Sequence, residues 1–191
     1  MGLMLLVKSN MKITIIGQPC SGKSTLACKI SENFHIPYIH IDRFWFEAGG
    51  QKLKLSNKEE MEKVRQYVRE KVEEALKQDA WVSDGWYSKV QPLISEQADQ
   101  IIFLDIPFYR RLFNHFKRMN KPGRHKELTK WDEIKFFYEV VKRTFTKSKK
   151  MKNFVREHRD KVKILKNYKE VEVYLKTNLV TLNNLYPKKF E

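Results

Sequence analysis

Gly17-Gln18-Pro19-Cys20-Ser21-Gly22-Lys23-Ser24 is the stretch that decides the fold. It spells Gly, four residues, Gly-Lys-Ser, the pattern of a loop whose backbone amides cradle phosphate. A triphosphate needs several N–H groups pointing inward together, which takes a tight turn with glycines where a side chain would block approach. The flanks agree. Met11-Lys12-Ile13-Thr14-Ile15-Ile16 is apolar and β-branched, a buried strand. Leu26, Ile30 and Phe34 follow at helical spacing, so the loop runs into a helix N-terminus, which favours anions. In this pattern Gly17, Gln18, Pro19, Cys20, Ser21, Gly22, Lys23, Ser24 and Thr25 bind the phosphates of ATP. Lys23 reaches the β- and γ-phosphates, and the Ser24 hydroxyl ligates Mg²⁺.

The chain of 191 residues is long enough for one domain with a full core, and 41% hydrophobic residues exclude a disordered polymer. No apolar run approaches the length of a membrane span. Residues 1–10 read as an extension ahead of a second start at Met11, without the basic start or cleavage site of a signal peptide. Cys20 and Cys28 form neither a metal pattern nor a disulfide framework, which fits a reducing cytoplasm. The net charge of +15 lies wholly in residues 106–191, with 24 basic and 9 acidic side chains, while residues 1–105 balance at 14 and 14. Such a half suits polyphosphate or nucleic acid, or is a solvated lysine-rich face.

Along the chain, carboxylates fall where strands end. Ile39-His40-Ile41-Asp42 and Trp81-Val82-Ser83-Asp84-Gly85 each close on one. Ligands of open parallel sheets bind beyond the carboxyl ends of strands, so both are site candidates by position. Asp84 is the choice for Mg²⁺ beside Ser24. Arg43 to Gly50, aromatic and ending in two glycines, reads as a mobile loop over the acceptor site or a packed surface hairpin. A helix follows, capped by Ser56 or Asn57, with Met61, Val64, Val68, Val72, Ala75 and Leu76 as its core stripe. Trp86-Tyr87-Ser88-Lys89 brings an aromatic face, a hydroxyl and a cation into one turn. Gln100 to Asp105 is a buried strand, with Asp105 as a cap for the next helix. Pro107 starts that helix, with Leu112, Phe113 and Phe116 inward. A basic flap over about 118–128, with Arg118 and Arg124, supplies cations for a transferring phosphoryl group. Trp131 to Arg159 reads as a long basic helix with a break near Lys147–Lys150. Val162–Leu165 is a fifth strand, and a last helix precedes a tail at 177–191.

The spaced set Gly17–Thr25, Ile39–Asp42 with Trp45, Asp84-Gly85-Trp86-Tyr87, Phe103-Leu104-Asp105-Ile106-Pro107 and the basic flap resembles the adenylate-kinase-like P-loop proteins called DNA topology modulation proteins, the FlaR-related family. The likeness covers residues 11–176. It implies an α/β P-loop NTPase fold of three layers, with a five-stranded parallel sheet in the order 2-3-1-4-5. It implies ATP and Mg²⁺, with a small-molecule acceptor held across about 42–78 and the Asp84-Gly85 turn by Asp42, Arg43, Trp45, Gly85, Tyr87 and Lys89. Flap arginines fall on the phosphates at Arg118 and Arg124, and adenine lies beside Lys166-Asn167-Tyr168. Two positions depart from the pattern. Trp86 stands where relatives carry a polar residue. Asn114 stands where an arginine is common, with Arg110 and Arg111 a helical turn away as substitutes.

The catalytic set is then Lys23, Asp42, Arg118 and Arg124. If the acceptor is a hydroxyl, Asp42 takes its proton. If it is a phosphate, Arg43 or Lys89 neutralises it instead. The second reading is an ATP-binding regulator whose basic C-terminal half contacts DNA, with the steep salt dependence of phosphate contacts.

Overall fold

The computed structural model describes residues 11–50, 58–119, 138, 141 and 149–185. Its elements are β1 (Lys12–Gly17), α1 (Lys23–Phe34), β2 (Tyr38–His40), α2 (Ile41–Glu47), α3 (Lys58–Ala75), β3 (Trp81–Asp84), α4 (Gln91–Gln97), β4 (Gln100–Leu104), α5 (Phe108–Met119), α6 (described over 149–157), β5 (Val162–Leu165) and α7 (Tyr168–Leu185). The strands form one five-stranded parallel sheet in the order β2-β3-β1-β4-β5, flanked by helices, in the αβα arrangement of P-loop NTPases. The order implied by the resemblance is the order found.

The described residues fall into two compact units. One holds the chain up to Ile16 with Lys23–Ile102, and the other holds Gly17–Gly22 with the chain from Phe103 onward.

In the first unit β1 pairs with β3, and β2 with β3, all in parallel. The strands are short and nearly continuous in Ile and Val because both faces are covered. Ile13, Ile15, Ile16, Trp81, Val82 and Ile101 are each 1% exposed or less. α1 covers β2 and β3 with Leu26, Ala27 and Ile30, and α3 packs on α2. The stripe read from the sequence is the buried face of α3: Met61, Val64, Val68 and Val72 are interior, with Leu76 beyond the helix end. Its proposed caps, Ser56 and Asn57, lie outside the described residues.

The segment after β2 differs from the sequence reading. Asp42 does not end a strand; it stands in the first turn of α2, and Arg43 to Glu47 are helical rather than a loop or hairpin. Carboxylate at a helix N-terminus is favourable, and Ala48 closes the helix by donating to the Phe44 carbonyl. A helix this short carries too little periodicity to be read from its sequence.

The second unit has its core at Phe103, Leu104, Ile106, Met151, Phe154, Val155, Leu165, Tyr174 and Leu175. Burial pushes the Tyr174 phenol up to about 12, so it stays a neutral core group. α5 is oriented otherwise than its aromatic residues suggest. Phe113 and Phe116 are 67% and 50% exposed, while Arg111 and His115 are both 3% exposed. The polar side faces inward because backbone carbonyls there need donors. Asp105 is exposed, and its own amide donates to the Leu165 carbonyl at 3.0 Å. The part of the long basic helix within the described residues is helical at 149–157, through two residues of the proposed break.

This placement makes a stability contrast. Ile30→Ala, in a fully buried site, should cost about 2–5 kcal/mol. Phe113→Ala should stay within about 0.5 kcal/mol. Urea unfolding of the two variants measures both, and equal losses would contradict the orientation of α5.

Candidate active site

Around Gly17–Gly22 the second unit builds a backing for the phosphate loop. A Cβ on Gly17 would meet the Leu104 carbonyl oxygen at 2.8 Å and Ser21 Oγ at 3.0 Å, so only glycine fits. The loop closes with the Ser21 amide donating to the Gln18 carbonyl at 3.3 Å, and Cys20 takes a left-handed φ of 62°. α5 supplies donors to the outer carbonyls. Arg111 Nη1 donates to the Pro19 carbonyl at 3.4 Å, and Arg111 Nε to the Ile106 carbonyl at 3.1 Å. Asn114 Nδ2 donates to the Cys20 carbonyl at 3.0 Å and also bonds the Tyr168 hydroxyl. Tying the carbonyls outward leaves the loop's other side to amides. Burial lowers the Arg111 pKa from its usual value, an effect opposed by Cys20, Asp105 and Tyr168. Burial raises the Tyr168 phenol pKa, so Tyr168 acts as a neutral partner to Asn114.

Arg111, offered as a substitute for the arginine absent at 114, is 3% exposed and donates to two backbone carbonyls. Arg110 is exposed and lies over the Tyr109 ring at 5.6 Å. Of the three residues offered to adenine, Tyr168 stands at the loop, with Cε1 3.7 Å from where a Cβ on Gly22 would be. Asn167 is the N-cap of α7: its Oδ1 accepts from the Glu170 amide at 3.0 Å. Glu170 reaches back to Asn167 Nδ2 and to the Lys166 amide, both at 2.7 Å.

In the first unit the site begins at Asp84, which is 1% exposed at the end of β3. Ser24 Oγ donates to Asp84 Oδ2 at 2.6 Å, and Tyr38 Oη donates to Oδ1 at 2.9 Å. His40 Nε2 lies 3.8 Å from the same Oδ1. The register explains the gathering. His40 stands opposite Asp84, and Tyr38, two residues back, shares its face. Tyr38 and His40 were missed by sequence reasoning, because strand pairing is not visible in one strand. Burial, then the Asp84 charge, raises the Tyr38 pKa far beyond its ordinary range, so it remains a hydrogen donor. Ser24 and Thr25 are exposed and Lys23 half-buried, at the N-terminus of α1.

Beyond Asp84 the chain turns at Gly85, with φ of 126°. A Cβ there would lie 4.0 Å from Asp42 Oδ1 and 3.5 Å from Ile41 Cβ, so Asp42 and Gly85 are neighbours. Trp45 and Tyr87 are in ring contact, with centroids 5.9 Å apart. Four of the proposed acceptor residues are thus together. Arg43 instead pairs with Glu47 at 2.8 Å on the outside of α2, and Lys89 is exposed. Arg118 is in the last turn of α5, but its side chain, like all of Arg124, lies outside the described residues.

The Ser24 hydroxyl and Asp84 carboxylate are hard oxygen donors, the type Mg²⁺ takes while keeping several waters. Among the described residues no group of three His, Cys, Asp or Glu side chains could hold a metal.

Solved structures carry the same architecture. Shikimate kinase from Bacteroides thetaiotaomicron aligns with a TM-score of 0.52 at 13% identity, over 92% of this chain and 97% of its own. Shikimate kinase from Acinetobacter baumannii in complex with shikimate aligns at 0.53 and 14%, over 97% and 98%. TT1252 from Thermus thermophilus aligns at 0.55 and 18%, over 91% and 98%. At these identities the likeness is one of fold. A model of the family described as chromatin associated protein KTI12 matches residues 11–85, from β1 to the end of β3, less than half of this P-loop chain. Curated proteins give no match. No helix among the described residues is long and apolar enough to cross a membrane.

The Asp84 network yields a prediction on stability. Asp84→Ala removes the shared acceptor of the exposed Ser24 hydroxyl and the half-buried Tyr38 hydroxyl and should cost about 1–3 kcal/mol in all. Tyr38→Phe removes one hydrogen bond and should cost about 1 kcal/mol. Thermal and urea unfolding of both variants checks this, and an unaltered Asp84→Ala would contradict the network.

Proposed function

We propose that this chain is an ATP-dependent phosphotransferase of the adenylate-kinase-like type, which transfers the γ-phosphoryl group of Mg-ATP to a small-molecule acceptor. The observation that carries the reading is the 2.6 Å hydrogen bond from Ser24 to Asp84. It joins the residue after the loop lysine to a carboxylate at a strand end, the pair a Mg-nucleotide needs. The buried Ser21 hydroxyl, with no hydrogen-bond partner in the described structure, supports a loop shaped for a ligand.

On this reading amides of Gly17–Thr25 and the Lys23 ammonium grip the phosphates, with Tyr168 at the nucleotide side. Ser24, with Asp84 behind it, holds Mg²⁺, which when bound neutralises phosphate charge. Asp42 faces the acceptor. When the acceptor is an alcohol, its oxygen forms the new bond to the γ-phosphorus as the bond to the ADP oxygen breaks, and Asp42 receives the hydroxyl proton. Lys23, with Arg118 and Arg124, stabilises charge on the phosphoryl oxygens.

Lys23→Ala should lower transfer by at least about 100-fold, because it removes charge aimed at the reacting group. A panel of nucleosides, nucleotides and sugars with γ-labelled ATP measures the transfer. Wild-type turnover in the variant, or labelled ATP that only hydrolyses slowly with every acceptor, would overturn the kinase assignment.

A further inference from the structure

The acceptor side of the first unit has a composition that selects a chemical class. Trp45 on α2 and Tyr87 after Gly85 meet with rings tilted by 39°, both half-buried, which gives a joined aromatic surface. Trp45 is packed from one side. Gly50 lies so close under the Trp45 indole that a Cβ there would collide with its ring atoms, and the Gly50 amide donates to the Trp45 carbonyl at 3.0 Å. Asp42 is one turn before Trp45 on the same face of α2, and its carboxylate borders Gly85. The surface therefore offers π-faces and a hydrogen-bond acceptor.

Charge decides between acceptor types. Within α2 and the 85–89 turn the cations are Arg43 and Lys89. Arg43 is tied to Glu47 at 2.8 Å, so the helix contributes two carboxylates against one guanidinium. Lys89 is exposed. A carboxylate or phosphate on the acceptor calls for a bidentate arginine or a converging cation set. Among the described residues of this surface it would meet Asp42. A neutral molecule with a flat unsaturated ring and a hydroxyl meets a stacking face and a proton acceptor.

Resting on the kinase reading, we propose that the acceptor is a neutral, flat-ringed alcohol of the nucleoside type, stacked on Trp45 and Tyr87 with its hydroxyl toward Asp42. Phosphoryl transfer to it forms the bond from hydroxyl oxygen to γ-phosphorus, breaks the bond to ADP and moves the hydroxyl proton to Asp42. An anionic acid such as shikimate, or a nucleoside already carrying a 5′-phosphate, is disfavoured by the same groups.

The test uses the full chain with Mg-ATP, the four common ribonucleosides, their 5′-monophosphates and shikimate. ATP binding is followed separately by calorimetry. At least one nucleoside should be phosphorylated with kcat/KM about tenfold or more above both its monophosphate and shikimate. Trp45→Ala should raise the KM for that nucleoside about tenfold, with Trp45→Phe restoring most of it and the KM for ATP staying within about twofold. Preference for a monophosphate or for shikimate, or an acceptor KM indifferent to Trp45→Ala, overturns the acceptor class while ATP binding stands. A chain that binds no Mg-ATP overturns the kinase reading and this assignment with it.

Discussion

A carboxylate taken out of water has to be given donors, and Asp84 is given two hydroxyls, Ser24 from α1 and Tyr38 from β2. That requirement orders much of the first unit. It fixes the start of α1 against the end of β3 and sets β2 beside β3 in the one register that brings Tyr38 and His40 to the same oxygen. A slip of one residue would turn both side chains to the opposite face. The neighbouring buried pair, Ser83 Oγ donating to Thr14 Oγ1 at 3.0 Å, locks β1 to β3 in the same manner. Each of these two networks fixes one strand against its neighbour.

The phosphate loop is held by the complementary device. Its carbonyls at Pro19 and Cys20 are drawn toward Arg111 and Asn114 of α5. A helix that must present donors inward cannot also present its aromatic residues inward. This accounts for the exposure of Phe113 and Phe116, which hydrophobic patterning alone places in the core. A cation buried against carbonyls has a structural task.

The legible parts of the sequence were those set by local chemistry. The glycine spacing of the loop, the β-branched strand before it, the Met61 to Leu76 stripe and the carboxylate closing Trp81–Asp84 each follow from a few adjacent residues. The strand order came from resemblance to a known family and not from the strands themselves. What escaped notice depends on distant partners. Tyr38 and His40 acquire meaning only through pairing with β3, and the inward face of α5 only through the loop more than ninety residues before it. α2 was hidden because seven residues rich in Phe and Trp read equally well as a loop. The cap of α7 is local, written in Asn167 and Glu170 three residues apart.

The claim under everything else is that the backbone of residues 17–25 is shaped to receive the phosphates of a nucleotide. Amide-resolved NMR of the ¹⁵N-labelled chain during titration with Mg-ATP tests it most directly. The account predicts saturable shifts concentrated in the amides of Gln18 to Thr25, with the strand interiors of β1 and β3 unmoved. Amides of that loop that stay fixed at saturating Mg-ATP, or shifts scattered over the surface without saturation, would contradict it.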